Sequence, residues 1–204
     1  MYCHEGLARP SGGKRGVMRS RVSSGNVYDA VRNLADRMLH AKRHRAVRSR
    51  LSRMPRPRNI LVVCYGNVCR SPYLEAVLSR ALPDIRVSSA GFVGPGRSVP
   101  EFALAVSAQR GFDLSSFRSR PLQPATTRGA DLVVVMDARQ ARHMARYVGV
   151  PPERIVVAGD LDPLPSPTRA IEDPWQQPLD VFVASFNRLD RCGATLARVL
   201  RRST

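Results

Sequence analysis

The chain has 204 residues, 43% of them hydrophobic, and a formal charge of +17. That length holds one domain with a buried core plus a tail, and no apolar run approaches the roughly 20 residues that span a bilayer. The N-terminus lacks the apolar stretch of a secretory signal, so a cytoplasmic location is expected. Residues 1–59 hold 15 Arg and Lys against Glu5, Asp29 and Asp36, a net of +12, so the charge belongs mainly to the tail. Only two of the 33 basic residues are Lys, and no nucleic-acid reading motif accompanies them, so no specific nucleic-acid partner is expected. Cys3, Cys64, Cys69 and Cys192 are too few and too scattered for a disulfide scaffold. The four histidines do not sit at ligand spacing with a cysteine pair, so no metal and no cofactor is expected, and each is read as a surface residue.

Residues 1–25, rich in Gly, Ser and Arg, are expected to be disordered. From Asn26 to Met54, Val27, Val31, Leu34, Met38 and Ala41 recur at helical steps, and Pro55 and Pro57 end the segment. The run Asn59 to Cys64 is continuously apolar after its first residue, as in a buried parallel strand. Ser71-Pro72 opens a helix that reaches Pro83. Ile85 to Ser89 is a second strand closed by Ala90-Gly91, and Glu101 to Arg110 a second helix. Asp131 to Met136 and Arg154 to Val157 are further strands, separated by a helix over Arg139 to Tyr147. The stretch from Asp160 to Pro178, rich in Pro and Asp, reads as a loop, and Leu179 to Arg202 as a closing helix. The alternation predicts an α/β fold: a small open parallel sheet of about four strands with helices on both faces, flavodoxin-like. In such sheets ligands bind beyond the C-terminal strand ends, which directs attention to the loop after the first strand.

That loop is Cys64-Tyr65-Gly66-Asn67-Val68-Cys69-Arg70-Ser71. Successive backbone N–H groups in a tight loop form an anion nest, and the following helix points its positive end at the same place. Arg70 can curl back to grip a phosphate with two N–H groups. These positive surroundings favour the thiolate of Cys64, a nucleophile, and Ser71 can donate a hydrogen bond to it. The spacing from Cys to Arg is weak by itself, because Cys3–Arg9 and Cys192–Arg198 share it. Only Cys64 follows an apolar strand, contains Gly and Asn in its loop, and has Ser after the Arg.

The run Val63 to Pro72 resembles the signature of the low-molecular-weight protein tyrosine phosphatases. Ser88-Ser89-Ala90-Gly91, the segment ending in Met136-Asp137, and Asp173-Pro174-Trp175 resemble later motifs of that family. The resemblance covers roughly residues 58–202. It implies a phosphatase domain over 58–204, preceded by a basic extension over 1–57 that is largely disordered with one amphipathic helix. It implies hydrolysis of phosphotyrosine proteins or small aryl phosphates through a phosphocysteine on Cys64, with Arg70 and the loop amides holding the phosphate. Asp173 would be the general acid, a choice that acid chemistry alone leaves open among Asp160, Asp162, Glu172 and Asp173. Asn67 and Ser89 would support the loop, and Tyr65 and Trp175 would form the pocket rim. Tyr65 stands where the family more often has an aliphatic residue or Thr, and Trp175 where it often has Tyr. Cys69 would form a reversible disulfide with Cys64, or else is a small residue packed under the loop.

Two other functions share this scaffold. An arsenate reductase needs two further thiols, and no cysteine lies between Cys69 and Cys192. A non-catalytic phosphate-binding module would have lost Cys64, Arg70 or the late Asp, and all are present. The extension has three readings: a mis-assigned start ahead of Met54, a basic helix for an acidic partner or membrane surface, or an Arg-rich presequence.

Overall fold

The structure, a computed structural model, describes residues 24–202, with side chains described at 34 and from 38 onward. The disorder expected over 1–25 falls almost wholly outside the described residues, as do Cys3 and the side chains of Val27 and Val31. The elements run α1 (Ser24–Arg53), β1 (Asn59–Cys64), α2 (Arg70–Ala81), β2 (Arg86–Gly91), α3 (Glu101–Ala108), α4 (Pro124–Arg128), β3 (Leu132–Val135), α5 (Ala138–Arg146), β4 (Ile155–Val157) and α6 (Leu179–Arg201). The four strands form one parallel sheet in the order β2-β1-β3-β4. This is the expected open α/β sheet; the short helix α4, five residues long, was too brief to leave a periodic trace in the sequence.

Side chains on a strand alternate between faces, and here both faces are covered. Ile60, Val62, Leu132, Val134 and Val156 join a core shared with α2, α3 and α6. Leu61, Val63, Val133, Val135 and Ile155 join a second core with Met144 of α5. That division explains why β1 reads as an unbroken apolar run.

The end of the extension is part of the first core. Val47 is 6% exposed, Leu51 is fully buried, and α1 lies against α6 and the 3-10 turn Ala158–Leu161. Arg50 reaches the carbonyl of Ile155 at 2.7 Å, and His44 Nδ1–H donates to that of Asp160 at 3.0 Å. The apolar stripe expected on this helix is not the packed one: Leu34 is 61% exposed and Met38 75%. The packed face is His40, His44, Val47 and Leu51, spaced four, three and four residues apart. Two histidines stand in it, so hydropathy alone conceals it, and His40 is buried rather than at the surface.

The segment after β4 is not an open loop. Asp162 is fully buried and accepts from Arg191 at 2.8 Å and Arg188 at 3.1 Å. Burial pushes its carboxyl up, but the hydrogen bonds from Arg191 and the Leu164 amide and the two guanidinium charges outweigh this and hold it below its ordinary value. Arg188 also donates to the carbonyls of Thr168 and Ala170, both at 2.6 Å, and Ile171 N–H donates to Met136 O at 2.9 Å. Side chains of α6 thus supply the hydrogen bonds that an irregular backbone cannot make to itself.

Leu51→Ala in the full chain is expected to lower the unfolding free energy by about 2–5 kcal/mol, the range for emptying a buried leucine site. Met38→Ala is expected to change it by less than about 0.5 kcal/mol, as for exposed positions. Urea denaturation measures both, and equal effects would mean that α1 does not dock in solution.

Candidate active site

β1 delivers Cys64 to the C-terminal edge of the sheet, and α2 begins at Arg70, so the intervening residues must reverse direction within a few steps. Asn67 makes that possible with φ at 51°, a left-handed conformation that a short polar side chain tolerates. Its N–H thereby donates to Cys64 Sγ at 3.2 Å, and Ser71 Oγ–H donates to the same sulfur at 3.0 Å. No side chain caps the N-terminus of α2. Its first-turn N–H groups, which a helix cannot satisfy internally, are available to an anion.

The hydrogen bonds behind the loop have a fixed direction. Asn67 is fully buried. Its Oδ1 accepts the Arg120 N–H at 2.7 Å, so its Nδ2 must face the other way, donating to Ser71 Oγ at 2.8 Å and Ser89 Oγ at 2.7 Å. Each serine, holding a donor on its oxygen, turns its own proton onward. Ser71 gives it to Cys64 Sγ, and Ser89 gives it to Glu75 Oε2 at 2.5 Å. Glu75 also pairs with Arg120 at 2.5 Å. Sequence reasoning singled out Asn67, Ser71 and Ser89 but missed Glu75 and Arg120. Glu75 stands four residues after Ser71 on α2 and could have been found from helical spacing; Arg120 lies in an aperiodic stretch and could not.

Gly91 is where β2 meets the loop. A Cβ there would lie 2.8 Å from Asn67 N and 2.9 Å from Tyr65 O, closer than real Cβ atoms come. The absence of a side chain lets Gly91 and Phe92 bond across to Arg120 and Tyr65, with Phe92 N–H donating to Tyr65 O at 2.9 Å. On the outer side Arg97, also missed, donates from Nη2 to Gly66 O at 2.6 Å.

Arg70 is buried at 4% exposure; it donates to Ile171 O at 3.1 Å and is ion-paired with Asp173 Oδ2. Its Nε is buried with no hydrogen-bond partner among the described residues. Asp173 is partly exposed, and its Oδ1 accepts the Trp175 N–H at 3.3 Å. The other acids left open by the sequence are placed differently. Asp160 is gripped by Arg169 through two bonds at 2.7 and 2.6 Å, Asp162 is fully buried, and Glu172 is exposed. Tyr65, in the loop, and Trp175, two residues after Asp173, are exposed aromatics, 57% and 42% exposed. Val68 of the same loop is buried, with an apolar side chain. Cys69 is a free, buried thiol, pushed well above its ordinary value by burial first and then by Cys64 and Asp173, with Arg70 and Arg97 opposing. It is therefore held as the neutral thiol beside Cys64.

The arrangement offers a sulfur nucleophile, an anion nest, one planar cation and one carboxylate able to carry a proton. The family model described as low molecular weight phosphotyrosine protein phosphatase matches residues 59–204. The low molecular weight protein-tyrosine-phosphatase Wzb of Escherichia coli K12 is 32% identical over 146 residues, covering 70% of this chain and 95% of Wzb. The tyrosine phosphatase amsI of Erwinia amylovora superimposes with a TM-score of 0.64 at 29% identity, covering 70% of this chain and 92% of its own. The YwlE arginine phosphatase of Geobacillus stearothermophilus superimposes with a TM-score of 0.63 at 27% identity, covering 71% of this chain and 94% of its own.

Ser71→Ala is expected to slow alkylation of Cys64 by iodoacetamide at neutral pH by about tenfold or more, since a hydrogen bond to a charged group is worth about 1.5–3 kcal/mol. Mass spectrometry of the Cys64 peptide against time gives the rate. An unchanged rate would show that the serine hydroxyl does not act on the sulfur.

Proposed function

The chain belongs to the low-molecular-weight phosphotyrosine protein phosphatase family, a family of cysteine-based hydrolases, and we propose that it hydrolyses phosphotyrosine or aryl phosphate monoesters through a phosphocysteine intermediate. The observation that carries this reading is the pairing at one loop of a doubly hydrogen-bonded Cys64 sulfur with a buried Arg70 that holds Asp173.

The proposed steps use the groups gathered at the loop. A substrate phosphate displaces the Asp173 carboxylate from Arg70 and takes the guanidinium and the loop N–H groups for its oxygens. Cys64 Sγ forms a bond to phosphorus as the bond to the phenolic oxygen breaks. Asp173, freed from Arg70 beside the leaving group, takes up a proton from solvent and gives it to that oxygen. The now ionised Asp173 takes a proton from water, whose oxygen attacks phosphorus and frees Cys64 and inorganic phosphate. Ser71 donates to the sulfur whenever it carries charge, including as the leaving group of the second step. Of the four acids considered, Asp173 is the one that pairs with Arg70 among the described residues, which supports its choice.

The aromatic side chains of Tyr65 and Trp175 and the apolar Val68 support an aryl ester over a cationic phosphoguanidine. An arsenate reductase is disfavoured because the described thiol beyond the loop pair, Cys192, is buried in α6. No helix among the described residues is long and apolar enough to cross a membrane; the reading places the enzyme in the cytoplasm. The charge of the extension supports contact with an acidic surface.

Cys64→Ser is expected to abolish turnover with the fold intact, because a serine hydroxyl is a far weaker nucleophile toward phosphorus than a cysteine sulfur. Asp173→Asn is expected to slow phosphotyrosine hydrolysis by about 10²–10³-fold, within the usual reach of a general acid. In burst kinetics the loss should shrink for an aryl phosphate whose phenol is strongly acidic and needs no proton on leaving. Arg70→Lys should impair both substrates alike, because it acts on the phosphate they share. Equal losses for both esters in Asp173→Asn would remove Asp173 as the acid, and faster turnover of phosphoarginine than of phosphotyrosine would reverse the substrate assignment.

A further inference from the structure

The docked end of α1 creates a cleft against α5 and β4, of about 430 Å³. It lies outside the phosphate loop, and one wall comes from residues that precede the family match. Four arginines line it, Arg43, Arg50, Arg142 and Arg169, against the single carboxylate of Asp160. That carboxylate is already committed, to Arg169 through two bonds at 2.7 and 2.6 Å and to Arg43 at 3.5 Å. Arg50 spends its two terminal nitrogens on the carbonyls of Pro152 and Ile155, and its Nε is buried with no hydrogen-bond partner among the described residues. Burial pulls Arg50 below its ordinary value, opposed by the charges of Asp160 and the nearby Glu153. Arg142 is exposed on α5, with no carboxylate contact among the described residues. Between these cations the surface is apolar, with Val47, Ala141 and Ile155 contributing.

Excess guanidinium charge around an apolar floor is a recognisable chemistry. Planar guanidinium groups suit phosphate oxygens, and the volume falls within the roughly 300–1,000 Å³ of small-molecule sites. Inorganic phosphate would meet the charge but leave the floor uncovered. We propose that this cleft is a second anion site, which binds an organic phosphate carrying at least two negative charges and an apolar or aromatic body. The ligand would lie against Arg169, whose backbone packs so closely on Gly159 that a Cβ there would come within 2.0 Å of the Arg169 carbonyl. Two residues later, Ile171 accepts from Arg70. The site therefore adjoins the rigid backbone that leads to Asp173, without sharing a side chain with the phosphate loop.

ADP serves as the probe, titrated by calorimetry into the full chain carrying Cys64→Ser, so that no turnover occurs. Saturable binding is expected. Adding Arg142→Glu should weaken it by about tenfold or more, the cost of losing one charge-assisted contact, with the thermal midpoint unchanged. Adding Arg70→Ala should leave it intact. In the otherwise native chain, Arg142→Glu should not alter aryl phosphate hydrolysis without ADP. Absence of saturable heat, equal binding with Arg142→Glu, or loss of binding with Arg70→Ala would each overturn the proposal. Equal affinity for inorganic phosphate would overturn the assignment to an organic ligand.

Discussion

A buried carboxamide brings two protons and one carbonyl oxygen into a place where each must find a partner, and at Asn67 each does. The Arg120 amide claims the oxygen, so both protons go to serines, and the serines have only one direction left in which to point. The Cys64 sulfur lies at the end of one branch and the Glu75–Arg120 pair at the end of the other. Removing the amide would leave buried donors and acceptors unmatched, and that costs more than the bonds themselves contribute. The left-handed backbone of Asn67, the missing side chain at Gly91 and the start of α2 at Arg70 are all geometries that this one residue requires of its neighbours.

The proposed acid is held by a different means. Asp173 stands on a long irregular segment, which would ordinarily wander. Here Asp162, buried between Arg188 and Arg191, ties its beginning to α6, and Arg188 also grips its middle through two carbonyls. A buried ion pair is a poor source of net stability, because desolvation offsets most of the attraction. Its use here is positional: it fixes the path of the backbone that leads to Ile171 and Asp173. The energetic burden is carried by the two cores on either side of the sheet.

Much of this was legible in the residues. The unbroken apolar run of β1, the Gly and Asn in the loop, and Ser after Arg declared a strand, a tight turn and a helix start, because each of those residue types answers a local steric need. The resemblance then pointed to Ser89 and Asp173, which local pattern alone does not select. The packed face of α1 was hidden because His40 and His44 share it with Val47 and Leu51, while the visibly apolar Leu34 and Met38 face solvent. Arg97, Arg120 and Arg188 were hidden for another reason. In a chain this rich in arginine, residue type carries no information, and only the tertiary fold shows which guanidinium meets a carbonyl, a carboxylate or open water.

The ion pair between Arg70 and Asp173 makes the protein its own competitor. A carboxylate tethered close to its cation acts as though present at millimolar or higher effective concentration. An incoming oxyanion must displace it, and two charges spread over three oxygens compete for a guanidinium better than one carboxylate does. In the proposed mechanism the same competition works in reverse after hydrolysis, with the returning Asp173 helping to expel inorganic phosphate. On that reading, a cradle that would otherwise hold its product as firmly as its substrate is cleared for the next cycle.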